Sequence, residues 1–314
     1  MRNVVRWIAL PALLCSLDLS CTQGDDRQDE GTILPVLSVP GETARVLAFG
    51  DWGDGGEAQK AVAAGIVARE ETAPFDFALL LGDNFYERGV ETPESPLFNA
   101  YFRAIYPADS LNFPFYVILG NHDHYGRPRA QFRYVDPDGR WKAPGFAYLL
   151  PVVLSDGYAV DIYGLDSALL VDAAENPWPG REGQTIRDWA LRMMRSRSPD
   201  LCILAVHHPP FSSGDHGDNP VLFDFLAEMF TEGYVDVVLS GHDHDLELQE
   251  LDVDGDASQE LFVVSGAACR LRAVGKSAAT AFSASTFGFA ELEISASATT
   301  VSFFDSTNAL LYRR

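Results

Sequence analysis

The fold is decided by residues 115–124, which read Phe-Tyr-Val-Ile-Leu-Gly-Asn-His-Asp-His. The apolar run at the start predicts a short strand that is buried on both faces. Gly120 then allows the backbone to turn closely, and polar side chains follow it at once. The stretch therefore predicts a buried strand whose carboxyl end carries functional groups.

Four other apolar runs, at residues 45–49, 77–81, 202–206 and 235–239, are followed by polar residues in a similar way. In open α/β sheets, ligands bind beyond the carboxyl ends of the strands, so we expect the five loops to converge on one place. The four further polar signatures are Gly50-Asp51-Trp52-Gly53, Gly82-Asp83-Asn84-Phe85-Tyr86, His207-His208-Pro209-Pro210 and, after Ser240, Gly241-His242-Asp243-His244.

Helix-like stretches lie between the runs, at residues 57–71, 184–196 and 221–232. Strands that alternate with helices are typical of an α/β fold in which helices cover the sheet faces. After about residue 246 the pattern changes to short strand-like segments with little helix between them. The sequence therefore predicts a layered α/β sandwich that is finished by an antiparallel sheet.

The 314 residues divide into a leader, a linker and one body. Residues 1–21 resemble a signal peptide, because two arginines precede an apolar stretch that is too short to span a membrane. Residues 22–43 are polar, acidic and punctuated by glycine and proline, which predicts a linker. We expect a single catalytic domain over residues 44–314.

The end of the leader has two interpretations. Cys21 stands where a bacterial lipoprotein carries its lipidated cysteine, but Asp18 occupies a position that is usually aliphatic. Ordinary signal-peptide cleavage is therefore the alternative. In both cases we expect export, to the periplasm, to the outer membrane as a lipoprotein, or to the extracellular space, with membrane association where Cys21 is lipidated.

Charge and cysteine content exclude two classes of function. With 23 Lys and Arg against 45 Asp and Glu, the formal charge of −22 would repel a nucleic-acid backbone. No CxxC pair or zinc-ribbon spacing is present, so we expect a metal to bind oxygen and nitrogen ligands. Cys202 and Cys269, the two cysteines of the predicted body, could pair in an oxidising compartment or remain buried thiols.

All seven histidines fall in or just after three of the strand-end signatures, beside aspartate, asparagine and tyrosine. These donors are too many for one tetrahedral ion, and they include no thiolate. In a two-metal site the ions lie about 3.5 to 4 Å apart and stabilise the attacking and leaving oxygens of a phosphoryl displacement. The pattern therefore predicts phosphoester hydrolysis. The histidines are His122, His124, His207, His208, His216, His242 and His244.

In this order, the signatures that begin at Gly50, Gly82, Gly120 and Gly241 resemble those of the calcineurin-like metallophosphoesterases. The usual first motif is Asp-x-His, but here Gly53 takes the place of the histidine. Tyr86 follows the second aspartate by three residues, where it could supply the lost ligand. This combination resembles the purple acid phosphatases of the small, tartrate-resistant type, which implies an α/β–β/α sandwich of two mixed sheets flanked by helices.

The resemblance also implies a role for each site residue. It places Asp51, Tyr86 and His244 on Fe(III), and Asn121, His207 and His242 on a divalent ion of iron, zinc or manganese, with Asp83 bridging. His122 and His216 are the candidates that protonate the leaving group. We expect His208 to line the pocket or to bind the backbone, and Asp123 and His124 to orient ligands.

The resemblance implies an exported acid phosphatase that hydrolyses phosphate monoesters by attack of a metal hydroxide. The same superfamily offers a phosphodiesterase or nucleotide hydrolase as an alternative, and a non-catalytic metal- or phosphate-binding protein is the alternative from another class. The partner expected is a small phosphate ester, bound by a monomer. The segment 168–184 is expected to be a loop that overhangs the site and sets substrate choice.

Overall fold

A computed structural model of the protein describes residues 31–175 and 181–314. Within these ranges the strands are β1 (Thr32–Ile33), β2 (Leu37–Ser38), β3 (Thr43–Phe49), β4 (Phe77–Leu81), β5 (Phe115–Ile118), β6 (Trp141–Lys142), β7 (Ala147–Val153), β8 (Ala159–Leu165), β9 (Leu201–Ala205), β10 (Val237–Ser240), β11 (Leu246–Leu251), β12 (Glu260–Ser265), β13 (Thr280–Ala284), β14 (Gly288–Ser295), β15 (Ala298–Asp305) and β16 (Leu310–Arg313).

The α-helices of the same ranges are α1 (Glu57–Thr72), α2 (Pro128–Arg133), α3 (Ser167–Glu175), α4 (Arg181–Arg195) and α5 (Pro220–Thr231). A π-helical segment spans Phe98–Arg103, and a 3₁₀ turn spans Asp123–Tyr125. The five strands and three helices that the apolar pattern predicts are all present, with ends that differ by a few residues. The α/β fold class is confirmed.

Two mixed sheets form the body. One has the order β1-β7-β8-β9-β10-β12-β11-β13, with β2 also paired to β7, and the other has the order β16-β15-β14-β3-β4-β5-β6. Strands β3, β4, β5 and β6 are parallel neighbours, as are β8, β9, β10 and β12, whereas β14 and β11 run antiparallel to their partners. The predicted sandwich of two mixed sheets is confirmed.

Strand β3 shows how the layers are built. Its residues alternate between two apolar clusters: Val46 and Ala48 belong to the layer between the two sheets, and Leu47 and Phe49 pack outward. Because successive side chains of a strand point to opposite faces, an uninterrupted apolar run buries both of them. The outer cluster includes Ile66 of α1, so a helix covers this face of the sheet.

The two sheets are joined beside the polar loops by Ser265 at the end of β12. Its hydroxyl donates to the carbonyl of Ala48 at 2.9 Å and accepts from the N–H of Ala290 at 3.1 Å. Its own carbonyl accepts from the N–H of Gly50 at 2.7 Å. This contact fixes the exit of β3, and with it the first polar loop, against the other sheet.

The folded body extends to residues before the predicted boundary at residue 44. Strands β1 and β2 pair in parallel with β7, and Val39 is buried between the sheets, so residues 31–43 belong to the folded body. The strands have two residues each, which is too short to give a periodic signal in a sequence. The remaining part of the predicted linker, and the leader with Cys21, lie outside the described residues.

Two further expectations need correction. Residues 168–175 form most of α3, and α4 begins at residue 181, so the predicted loop 168–184 is largely helical; residues 176–180 lie outside the described part of the chain. The C-terminal strands do not form a separate antiparallel sheet. Strands β11 and β13 extend one sheet, and β14 to β16 extend the other, because they pair with backbone groups that would otherwise be left at the edges of the parallel strands.

The sequence left open whether Cys202 and Cys269 form a disulfide or remain thiols. In the structure both are free and buried. Burial raises the pKa of both thiols. Within residues 31–175 and 181–314, no helix has the length and apolar character needed to cross a bilayer.

We expect Ser265→Ala to lower the free energy of unfolding by about 1 to 3 kcal/mol, because it leaves the Ala48 carbonyl and the Ala290 N–H buried without this partner. Ser297→Ala, in an exposed turn, is the matched control and should change stability by less than about 0.5 kcal/mol. Chemical denaturation of both variants measures the difference. Equal stabilities would contradict this role of Ser265.

Candidate metal centre

The structure brings all seven predicted ligands to one place. Donor atoms of Asp51, Asp83 and His207 lie within 4.8 Å of one another. Each of the other four approaches one of these three: Tyr86 Oη lies 2.9 Å and His244 Nε2 3.4 Å from Asp51 Oδ1, and Asn121 Oδ1 lies 3.1 Å and His242 Nδ1 3.3 Å from His207 Nε2. The expected convergence of the strand-end loops is therefore present.

Tyr86 links Asp51 and His244 in one half of this cluster. Its hydroxyl donates to Asp51 at 2.9 Å and lies 3.2 Å from Nε2 of His244. The second oxygen of Asp51 accepts from the backbone N–H of His242 at 2.7 Å. The phenol, the carboxylate and the imidazole can thus share one cation, as the missing histidine at Gly53 leads us to expect.

His207 is central to the other half. Its Nδ1 donates to the carbonyl of Leu81 at 2.8 Å, which leaves the lone pair on Nε2. This Nε2 faces Asn121 and His242 at 3.1 and 3.3 Å, and Asp83 Oδ1 at 3.5 Å. A cation among these atoms would receive oxygen and nitrogen donors only, a set that suits borderline divalent ions.

The backbone of the cluster is strained. Asp51, Asp83 and His242 have φ values of 54°, 51° and 68°, in the left-handed region that non-glycine residues rarely adopt. Such conformations cost about 1 to 3 kcal/mol each and occur most often at functional sites. Gly120 is needed for a different reason, because a Cβ atom there would lie 2.2 Å from Oδ1 of Asp83.

The protonation of the cluster indicates that its donors suit cations. Burial, opposed by His207 and reinforced by Asp83, raises the pKa of Asp51 to about 8. Burial and the two carboxylates also raise the pKa of Tyr86, so a phenolate here needs positive charge beside it. Burial with Arg272 lowers the pKa of His244 to about 4, which keeps its lone pair free. The residues therefore fit a pair of cations of high total charge.

His122, a predicted proton donor, lies beside Asp83 and Tyr86. Its Nδ1 donates to the carbonyl of Glu87 at 2.8 Å, and its backbone N–H donates to Oδ1 of Asp83 at 2.9 Å. Its ring meets the Tyr86 ring edge to face at 4.7 Å, and its Nε2 lies 4.0 Å from Oδ2 of Asp83. The free nitrogen therefore faces the cluster.

His216, the other predicted donor, lies beside His242, with the two rings stacked at 4.2 Å. Its backbone N–H donates to Asp243 at 3.1 Å, and its Nε2 contacts the guanidinium of Arg272. Burial lowers the pKa of His216, and Arg272 adds to this effect although Asp243 opposes it. The imidazolium form is therefore restricted to acidic pH.

Asp123 and His124 orient other groups and contact none of the described ligand atoms in the cluster. Asp123 accepts from the backbone N–H groups of Gly120 and Asn84, at 2.9 and 3.1 Å, so it ties two of the loops together. His124 bonds to Asp166 at 2.8 Å. Burial alone would lower the pKa of His124, but Asp166, together with Asp123 and Glu182, outweighs burial and raises this pKa to about 9.

Sequence reasoning missed Arg270 and Arg272. The guanidinium of Arg270 lies 3.9 Å above the Tyr86 ring and pairs with Glu87, while the backbone N–H of Arg272 donates to the carbonyl of His244 at 2.9 Å. These residues lie in an irregular segment after β12 that no strand-end rule identifies. Their one local signal is two arginines close together in an acidic chain.

Comparisons with known proteins show the family to which the chain belongs. The sequence model of the calcineurin-like phosphoesterase family matches residues 44–246. The chain is 31% identical over 253 residues to tartrate-resistant acid phosphatase type 5 of Mus musculus, covering 74% of this chain and 76% of that protein. It is 30% identical over 224 residues to purple acid phosphatase 7 of Arabidopsis thaliana, covering 68% of each. The chain therefore belongs to the calcineurin-like phosphoesterases, within the purple acid phosphatase group, and is a hydrolase.

A solved structure shows the same fold. GAP50 of Plasmodium, named as the anchor in the inner membrane complex, superposes with a TM-score of 0.76 over 87% of this chain and 88% of that one. The two sequences are 21% identical, so this likeness concerns the fold alone.

We expect the iron-loaded protein to absorb visible light, because a phenolate bound to Fe(III) gives a charge-transfer band. Tyr86→Phe should remove this band. Tyr125→Phe is the matched control, since this ring lies 5.2 Å from His122 but is 56% exposed. Absorption spectra at equal iron content measure the effect. A Tyr86→Phe protein that keeps its colour would contradict the predicted ligation.

Proposed function

We propose that the protein is an exported acid phosphatase that hydrolyses small phosphate monoesters, with Fe(III) and a divalent ion of iron, zinc or manganese as cofactors. The observation that supports this best is the convergence of seven oxygen and nitrogen donors between two histidines that can move a proton. Export rests on the leader-like residues 1–21. We propose a monomer whose partner is the substrate.

The residues of the cluster divide naturally between two cations. Two bound cations would supply Lewis-acid polarisation of the phosphate and activation of a water molecule. Oδ1 of Asp83 lies 3.5 Å from Nε2 of His207, while its Oδ2 is turned to Nε2 of His122. Donor atoms of Asp83 also lie within 4.8 Å of those of both Asp51 and His207, one residue from each half of the cluster, which supports a bridging role.

The leaving alkoxide needs a proton, and for His122 the hydrogen bonds identify the nitrogen that can supply it. Because Nδ1 of His122 donates to the Glu87 carbonyl, the proton would come from Nε2, the nitrogen that faces Asp83. His216 borders a cavity of about 220 Å³ together with His242. The two histidines therefore approach the cluster beside different ligands, and His216 is charged only at acidic pH.

The substrate class is tested with esters of matched leaving group. We expect hydrolysis of p-nitrophenyl phosphate to exceed that of bis-p-nitrophenyl phosphate, and to require iron. Faster cleavage of the diester would favour the phosphodiesterase alternative. Failure to hydrolyse either ester with full metal content would favour a non-catalytic binding protein.

The proton donor is tested through the leaving group. We expect His216→Asn to lower kcat for an alkyl phosphate by about 10²-fold or more, and to affect p-nitrophenyl phosphate much less, because its phenolate leaves without a proton. Wild-type kcat for the alkyl ester should fall as pH rises through the lowered pKa of His216, and the variant should lose this limb of the profile. An unchanged pH profile would instead point to His122, for which His122→Asn is the parallel variant.

A further inference from the structure

His208 is a buried histidine that has no part in the proposed phosphatase reaction. The role in substrate binding argued for it below rests on that proposed function. Its ring lies 4.3 Å from the ring of the predicted ligand His242 and 5.0 Å from that of His207. It lines the cavity of about 220 Å³ together with His216 and Asn219. The side chain therefore lies between predicted ligands of the divalent ion and a predicted proton donor.

The hydrogen bonds of Ser167 determine which nitrogen of His208 carries the proton. The hydroxyl oxygen of Ser167 accepts from the backbone N–H groups of His207 and His208, at 3.0 and 2.8 Å. A hydroxyl oxygen has two lone pairs and one proton, so the proton is left for Nδ1 of His208, at 2.9 Å. Because Nδ1 accepts this bond, the ring is neutral and its hydrogen is on Nε2.

This Nε2–H is a donor with no partner in the described part of the chain. Among the described residues, no group accepts a hydrogen bond from Nε2 of His208, whose hydrogen bonds run to Ser167 alone. Donor atoms of His207, His208 and His242 lie within 4.8 Å of one another, a spacing that by itself would suit a third imidazole ligand. A nitrogen that carries hydrogen has no lone pair for a metal, so the hydrogen bonds favour a different role.

We propose that His208 binds the phosphate group of the substrate through its Nε2–H, as a neutral hydrogen-bond donor beside the predicted divalent ion. A phosphate group offers acceptor oxygens, which match a lone N–H donor. His208 lies next to His242, a predicted ligand of the divalent ion, and His216, a predicted proton donor to the leaving oxygen. A phosphoryl group bound between these two residues would have its oxygens beside His208. His208 thus assists substrate binding, and the ring is held for this task by Ser167.

Two substitutions separate this role from a structural one. In His208→Asn, the amide oxygen takes the place of Nδ1 and can still accept from Ser167, but the donor at Nε2 is lost. In His208→Gln, an amide N–H takes the place of Nε2, and the acceptor for Ser167 is lost. We expect the Kd of inorganic phosphate for the metal-loaded protein, measured by calorimetry, to rise about tenfold in His208→Asn and less than about threefold in His208→Gln.

Metal analysis and hydrolysis of p-nitrophenyl phosphate accompany the titrations. A larger rise of the phosphate Kd in His208→Gln than in His208→Asn would overturn the proposal in favour of a supporting role. Loss of one metal ion from both variants would overturn it in favour of a ligating role. If the wild-type protein hydrolyses the ester and His208→Asn binds phosphate with unchanged Kd, the role of His208 is overturned and the proposed phosphatase function stands. If His208→Asn does not fold, ¹⁵N NMR of the histidines in the zinc-loaded wild-type protein shows which nitrogen of His208 carries the hydrogen. A hydrogen on Nδ1 would overturn the proposal.

Discussion

Concentrated negative charge in a buried space is the constraint on which this structure depends. Asp51, Asp83 and Tyr86 lie together at the ends of neighbouring strands, and burial raises the pKa of Asp51 and of Tyr86, which makes their charged forms unfavourable. A trivalent and a divalent ion would bring a charge of about +5 against about −3 from these three groups. The cluster can therefore attract a phosphate although the chain has a formal charge of −22.

The fold makes this concentration possible through parallel strands. Parallel neighbours end at the same edge of a sheet, so β3, β4 and β5 deliver three loops to one side of the cluster, and β9 and β10 deliver two more from the other sheet. Ser265 and the bond from His207 to the Leu81 carbonyl join the two edges. The left-handed backbone at Asp51, Asp83 and His242 then turns the side chains inward, at a cost that the surrounding contacts offset.

The sequence predicts the parts of this site that depend on local pattern. The run 77–81 reads as a buried strand, and β4 has the same bounds, because a short apolar segment before glycine has few other solutions. Strand β7 contains Pro151, which interrupts the strand pattern, so the apolar runs do not predict it. The contacts of Arg272 with His216, and of Ser167 with His208, join residues 56 and 41 positions apart, and only the tertiary structure places them together.

The most direct test of the paired-cation centre is anomalous diffraction from crystals of the metal-loaded protein, recorded on both sides of the iron edge. Two cations should appear about 3.5 to 4 Å apart, with Asp83 in contact with both and iron on the side of Tyr86. A single cation, or two cations that do not share Asp83, would contradict a paired-cation centre bridged by this carboxylate.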